Sequence, residues 1–234
     1  MEKKLEVSVI SPVFNERENL KTFVDSVTKV MHSTGMSWEL IVVDDGSDDG
    51  STTVIKELTN QDNIKCLLLA KNYGQTTAIQ AGFDNAIGKY LVTLDSDLQN
   101  DPKDIPALLH KLIEEELDLV VGWRKNRKDN YFLRNLPSSI ANKLIGNITG
   151  VKLHDYGCSL KAYRADVLKE VRLYGEMHRF IPAWMATKIP ASKISELVVT
   201  HHPRIAGKSK YGISRTFRVS VSYTHLRAHE TSPH

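Results

Sequence analysis

The chain has 234 residues, 41% hydrophobic and 25% charged, a length and balance that suit one folded globular domain with a substantial core. Its two cysteines, Cys66 and Cys158, lie in no metal-ligand spacing, which excludes a disulfide framework and a cysteine zinc site and fits a reducing compartment. The net charge of +3 joins unlike halves: residues 1–116 hold 11 Lys/Arg against 20 Asp/Glu, and residues 117–234 hold 20 against 8. That asymmetry is either uneven surface decoration or a division of labour, an acidic half for a cation and a basic half for phosphates or an anionic membrane.

The charged N-terminus runs straight into an apolar segment, without the apolar stretch of a secretory signal. No segment approaches the roughly 20 apolar residues of a membrane span. Apolar runs at residues 7–13, 40–43, 64–69, 90–94 and 117–121 predict strands. Helical patterns at 19–31, 49–58, 76–86 and 104–115 alternate with them, the second opened by a Ser/Asp-rich turn that suits an N-cap. This rhythm predicts a doubly wound α/β sheet, in which ligands sit beyond the carboxyl ends of the strands.

Three of those strand ends are acidic. The first runs into Pro12-Val13-Phe14-Asn15-Glu16, the second into Asp44-Asp45-Gly46-Ser47 and the fourth into Asp95-Ser96-Asp97-Leu98-Gln99. One acidic turn is ordinarily a cap or a solvated loop; three at one sheet edge form a rim. In the Asp95-Ser96-Asp97 triplet the period-two geometry of a strand end sends both carboxylates to one side, where they suit Mg2+ or Mn2+. A divalent ion on a diphosphate neutralises the charge that grows on the leaving group as a glycosidic bond breaks.

Beyond residue 122 the pattern loosens. Residues 131–148 carry Phe132, Leu136, Ile140, Leu144 and Ile148 at every fourth position, an amphipathic helix that faces either the core or a bilayer surface. His154-Asp155-Tyr156-Gly157-Cys158-Ser159 is a polar cluster in which Asp155 reads as a turn aspartate, a general base or a carboxylate that orients an acceptor. Residues 193–202 read as a further strand. Trp123-Arg124-Lys125-Asn126-Arg127-Lys128 and the loop from Arg204 through Lys208 to Lys210 read either as solvated basic loops or as phosphate donors. An acidic rim disfavours nucleic acid as the partner of these basic runs. Residues 220–234 hold three of the nine histidines without apolar periodicity. His225 and His229 share an i,i+4 spacing but lack a third ligand, and the tail reads as foreign or disordered sequence outside the fold.

Taken in order, the strand-end motifs, Asn72-Tyr73-Gly74-Gln75 and His154-Asp155-Tyr156-Gly157-Cys158-Ser159-Leu160-Lys161-Ala162-Tyr163-Arg164 resemble the family 2 polyprenyl-phosphate glycosyltransferases. That group includes the dolichyl-phosphate mannose synthases and the bacterial undecaprenyl-phosphate glycosyltransferases. The resemblance covers residues 5–219 and implies a GT-A catalytic domain, Rossmann-like with a mixed sheet, with 131–148 as a membrane-interface helix within it. It implies an inverting, metal-dependent transfer of a hexosyl group from a UDP- or GDP-sugar to a polyprenyl phosphate at the cytoplasmic face of the membrane, with homo-oligomerisation open. Carried over by motif, Pro12, Phe14, Glu16, Val43 and Asp45 line the nucleoside pocket, with Phe14 standing where the family often has tyrosine. Asp95, Ser96, Asp97 and Gln99 match the metal and diphosphate motif, with Asp97 the foremost metal ligand. Arg204 and Lys210 match the donor-phosphate loop, Arg124 and Arg134 the acceptor-phosphate arginines, and Asp155 the acceptor-side carboxylate.

Many relatives continue past the position of Val219 into membrane-spanning helices, where this chain turns polar, so a truncated, peripheral form is the expectation. Two rival readings remain at this stage. A dinucleotide-dependent oxidoreductase is disfavoured because no G-x-G-x-x-G follows the first strand, and a non-catalytic module that binds sugar nucleotides or membranes stays open.

Overall fold

The computed structural model describes residues 5–125, 150–168 and 171–204. The amphipathic segment 131–148 with Arg134, the loop beyond Arg204 with Lys210, and the tail 220–234 lie outside them. Seven strands form one sheet in the order β3-β2-β1-β4-β6-β5-β7.

The first half folds as the period of its sequence demands. Strands β1 (Val7–Val13), β2 (Trp38–Asp44), β3 (Ile64–Leu68) and β4 (Tyr90–Thr93) pair in parallel. They are joined by α1 (Arg17–Ser33), α2 (Ser51–Leu58) and α3 (Gln75–Asn85). Every residue of β2 and β4 is buried, as expected of strands covered on both faces. Helix α1 buries Leu20, Phe23, Val24, Val27 and Met31, a stripe at helical spacing. It packs beside α2 and α4 (Ile105–Glu114). Helix α3 returns the chain in the opposite direction, to the far side of β1, so the right-handed crossover rule puts it on the other face. A Cβ at Gly82 would stand 2.3 Å from Ile10 Cγ2, so glycine there lets α3 lie close on β1.

Two local features prepare the site. The order β3-β2-β1-β4 reverses direction between β1 and β4, which opens a crevice beyond their carboxyl ends. Pro12 lies on β1 yet breaks no ladder bond. The paired register with β4 ends at Ile10↔Thr93, and the Pro12 carbonyl points to that side, where it accepts from Ser96 Oγ at 3.4 Å.

The second half departs from a simple parallel sheet, in keeping with the mixed GT-A architecture that the resemblance implies. β5 (Leu119–Trp123) pairs in parallel with β7 (Ile194–Val198). Between β4 and β5 lies β6 (Lys161–Arg164), antiparallel to both. The apolar alternation after residue 159 is therefore a central strand that the helix–strand rhythm of the first half does not announce. Among the described residues, two short helices, α5 (Ala165–Leu168) and α6 (Ile181–Met185), and 3₁₀ turns at Met177–Arg179 and Ala191–Lys193 accompany these strands. Both cysteines are free, as expected. Among the described residues no helix is long and apolar enough to cross a membrane.

Candidate active site

The three acidic strand ends meet at the β1/β4 crevice, held there by hydrogen bonds across large sequence separations. Asp45, just past β2, accepts from the Tyr73 N–H at 2.7 Å and the Gly74 N–H at 2.9 Å. It thereby caps the start of α3 from a different loop. Its pKa is nonetheless raised, because burial outweighs those two bonds and the Asp44 charge adds to it. The next residue, Gln75, donates from Nε2 to Asp95 Oδ1 at 2.8 Å. Asp44 and Asp49 serve the loop itself: Asp44 Oδ1 accepts from the Ser47 N–H at 3.0 Å, and Asp49 Oδ1 from the Ser51 N–H at 2.9 Å and hydroxyl at 2.6 Å.

Two residues in the crevice hold left-handed backbone, Asn15 at φ 53° and Leu98 at φ 60°. For leucine this costs about 1 to 2 kcal/mol. What the turn provides is visible at Asp97, whose Oδ1 accepts from the Gln99 N–H at 3.1 Å. Asp97 is 8% exposed. Burial pushes its pKa up to about 6, and the neighbouring Asp95 and Glu16 charges add to the push, while the Gln99 N–H and Arg204 oppose it. Burial likewise raises Asp95, against the Ser159 hydroxyl and the charges of Lys161, Arg124 and Arg179.

Arg204 closes this rim from the far end of the chain. Its Nη2 stands 2.7 Å from Asp97 Oδ2 and its Nη1 3.5 Å from Glu16 Oε1. The guanidinium thus occupies the place between two carboxylates where positive charge is most favoured. Among the described residues no group of three or more His, Cys, Asp or Glu side chains could enclose a metal ion. The rim offers a pair of hard carboxylate ligands and no cage, the arrangement suited to a cation whose remaining ligands are water and a bound diphosphate.

A second corner forms where β5 ends. Arg124 Nε donates to Asp155 Oδ2 at 2.7 Å and Nη2 to Oδ1 at 2.9 Å, a bidentate pair. Contact with Asp155 raises the Arg124 pKa further despite burial. Beside it the Trp123 and His154 rings stack at 4.0 Å, and Glu196 of β7 accepts from the His154 N–H at 2.8 Å.

Of the residues singled out in the sequence, Glu16, Asp45, Asp95, Ser96, Asp97, Gln99 and Arg204 share the rim. Phe14 and Pro12 are half-buried on its β1 side. Val43 stands apart, with no exposed surface in the core of β2. Arg124 and Asp155 are brought together in their own corner. Sequence reasoning did not assign a site role to Gln75, Ser159, Lys161, His178 or Arg179. These surround a cavity of about 30 Å³ that also touches Asp95. The signal for one of them was on view: a lysine between Leu160 and Ala162 in an apolar run, where a fully buried lysine is rare. The other four have no comparable local mark.

Comparison with known proteins places the chain in a family. The chain is 56% identical over 217 residues to the dodecaprenyl-phosphate galacturonate synthase of Rhizobium johnstonii, covering 92% of this chain and 64% of that protein. It is 38% identical over 229 residues to the undecaprenyl-phosphate 4-deoxy-4-formamido-L-arabinose transferase of Yersinia pestis, covering 97% and 68%. The chain therefore spans about two thirds of the length of these relatives. Among solved structures, the mannosyl-3-phosphoglycerate synthase of Rubrobacter xylanophilus superposes with a TM-score of 0.77 at 13% identity, covering 98% of this chain and 76% of that one. The glucosyl-3-phosphoglycerate synthase of Mycobacterium tuberculosis, in complex with Mn2+ and UDP-glucose, does so at 0.68 and 19%, covering 95% and 78%. At such identities these two establish the fold alone. The Glycosyl transferase family 2 profile matches residues 8–172, which take in all three acidic strand ends of the crevice and the chain through β6, and the chain belongs to that family.

Proposed function

We propose that the chain transfers a glycosyl group from a nucleotide diphosphate sugar to a polyprenyl phosphate, with inversion, as the names of its two curated relatives suggest. The observation that carries this reading is the pair Asp95 and Asp97 at one strand end, two carboxyl groups whose pKa values burial raises, with the Asp95 charge adding to the push on Asp97. Such a pair fits Mg2+ or Mn2+ completed by a donor diphosphate. When bound there, the ion offsets the charge that develops on the departing diphosphate.

The protein's own groups supply the rest. Asp97 and Asp95 hold the cation side of the donor, with Gln99 and Ser96 shaping the turn that aims them. The loop of Pro12, Phe14 and Glu16 and the Asp45 tie flank the nucleoside, Val43 backing them from the core. Arg204, which reaches Asp97 and Glu16 at the rim, would donate to the diphosphate, joined by Lys210. Arg124, with Arg134, receives the acceptor phosphate. One of that phosphate's oxygens bonds to the anomeric carbon as the bond from that carbon to the diphosphate oxygen breaks, and the nucleoside diphosphate leaves with the electron pair. A phosphate nucleophile is already ionised near neutral pH, so no proton has to be removed. Asp155, clamped on Arg124, therefore orients that arginine instead of acting as a base. The working position is a membrane surface at the cytoplasmic face, with 5–219 as the catalytic unit and 131–148 as its interfacial helix; assembly into oligomers is compatible with this arrangement.

The test is transfer of labelled sugar from a panel of UDP- and GDP-sugars to polyprenyl phosphate, with and without EDTA. Lipid-linked product that EDTA abolishes and Mn2+ restores is expected. Turnover that ignores the chelator removes the metal role, and nucleotide-sugar binding without any lipid product removes the transferase reading.

A further inference from the structure

Asp95 is approached from two distant parts of the chain, and each approach follows from the fold. The antiparallel register of β4 and β6 pairs Thr93 with Lys161; continued by two residues along each strand, it sets Ser159 opposite Asp95. Thr93 Oγ1 donates to the Ser159 carbonyl at 2.8 Å, which fixes the serine backbone, and the Ser159 hydroxyl donates to the Asp95 carboxylate. From the other side, Gln75 begins α3, directly after the Tyr73 and Gly74 N–H groups that Asp45 holds. Its Nε2 donates to Asp95 Oδ1 at 2.8 Å. Behind Ser159 stands Asn100, 4% exposed. Its Nδ2 donates to Ser159 Oγ at 2.8 Å, and its Oδ1 accepts from Cys158 Sγ at 3.6 Å, so each end of the amide has its own partner. A hydroxyl has one proton and two acceptor sites. With Asn100 donating to it, the Ser159 hydroxyl is turned so that its own proton goes to Asp95.

We propose that Ser159 and Gln75 are positioning residues for the cation of the donor diphosphate, with Asn100 acting through Ser159. The inference rests on the metal-dependent transfer reading above. Both donors to Asp95 line the cavity of about 30 Å³ behind it, and neither Asp97 nor Arg204 does. The two bonds therefore take up lone pairs on the side away from the rim. An ionised carboxylate has about four such sites, so the remaining ones are left toward the rim and Asp97. Both donors are also neutral. A guanidinium in the same place would cancel the charge that the ion needs, as Arg124 does at Asp155, whereas an amide and a hydroxyl orient the carboxylate and leave its charge in place. Carboxylates that ligate metals are held by hydrogen bonds of this kind, and loss of one such support weakens metal affinity by about 10- to 100-fold.

The test measures the Kd of Mn2+ for the full chain by electron paramagnetic resonance, at saturating UDP or GDP, whichever stabilises the protein. The Kd of the same nucleotide without metal comes from calorimetry, and transfer is followed against Mn2+ concentration. Ser159→Ala and Gln75→Leu should each weaken Mn2+ by about 10-fold or more and leave the metal-free nucleotide Kd as it was. Each should raise the Mn2+ needed for half-maximal transfer by more than it lowers kcat. Ser159→Thr, which keeps the hydroxyl, should restore the affinity. Asn100→Ala should weaken Mn2+ in the wild-type background and add less than about 2-fold to Ser159→Ala, because the two residues act in series. Removing the buried Asn100 amide risks misfolding; Ser159→Ala and Gln75→Leu are the milder changes and decide the matter alone. Unchanged Mn2+ affinity in both overturns the inference. A loss that extends equally to the metal-free nucleotide, or that Ser159→Thr shares, overturns it in favour of a structural role. Full additivity in the double variant overturns the relay through Asn100. A wild type that binds no Mn2+ overturns the inference together with the metal role, whereas Mn2+ binding that follows the expected pattern without lipid product from any sugar supports the inference and rejects the transfer reading alone.

Discussion

The rim beyond β1, β2 and β4 and the corner beyond β5 carry the same kinds of side chain, carboxylates and guanidinium groups, in opposite balance. At the rim Asp95, Asp97 and Glu16 meet Arg204, whose contacts with the last two differ by 0.8 Å, 2.7 against 3.5 Å. At the corner Arg124 and Asp155 close on each other bidentately, one to one. The rim is thus built to gain positive charge and the corner is already neutral, which suggests that the first binds a cation with its diphosphate and the second orients a partner. The contrast also separates cost from use. Asp97 is kept where it is poorly solvated, a state the fold tolerates at the expense of stability, while the Arg124 and Asp155 pair supports itself.

The largest expected effect breaks the rim. Asp97→Ala should lower transfer by about a thousandfold, the scale set by loss of a charge-stabilising group in a buried site, with the fold intact by circular dichroism. Wild-type rates would remove Asp97 from the chemistry. The corner should answer differently, through stability. Arg124→Met removes the bidentate partner of the half-buried Asp155 and should cost about 1.5 to 3 kcal/mol in denaturant unfolding. Adding Asp155→Leu should recover part of that loss, since the pair is worth less than the penalty for breaking it. A double variant no better than the single one would mean the pair makes no such coupled contribution.

Smaller effects sharpen the comparison. Asp45→Ala deletes the acceptor of two backbone N–H groups and should destabilise by about 2 kcal/mol, read from the same unfolding curves. The pH response of the chelated, donor-free protein carries the sign of the raised Asp97 pKa. Its folded value of about 6 lies above the ordinary 3.8, so the native state binds the proton more tightly. The contribution is fully present below the ordinary value and is lost as pH rises through about 6. Asp97→Asn should therefore gain thermal stability over the wild type at pH 7.5 and not at pH 3; a gap that does not change with pH contradicts the buried-carboxylate reading. At the outer edge, His154 is mostly exposed, so His154→Ala should cost about 0.5 kcal/mol.

Much of the first half was legible because its information is local. A run such as Leu40–Val43 followed by Asp44-Asp45-Gly46-Ser47 encodes strand, end and turn within eight neighbouring residues, and α1 spells its buried face at helical spacing. The convergence of the acidic ends follows once the strands are parallel and adjacent. The antiparallel β6 was not legible: Lys161–Arg164 is only four residues long, too short a run for a period of two to identify.

By itself, the amino-acid sequence determined that strands alternate with helices, that carboxylates stand at strand ends, and that Asp97 follows Asp95 on one side. Tertiary structure decided which distant groups answer them: Arg204 on Asp97, Arg124 on Asp155, and Lys161 and Arg179 behind Asp95. The physical reason is range. Periodicity and turn chemistry act between near neighbours along the chain, whereas a charge is balanced by whatever the folded sheet brings beside it, and no spacing in the sequence records that partner.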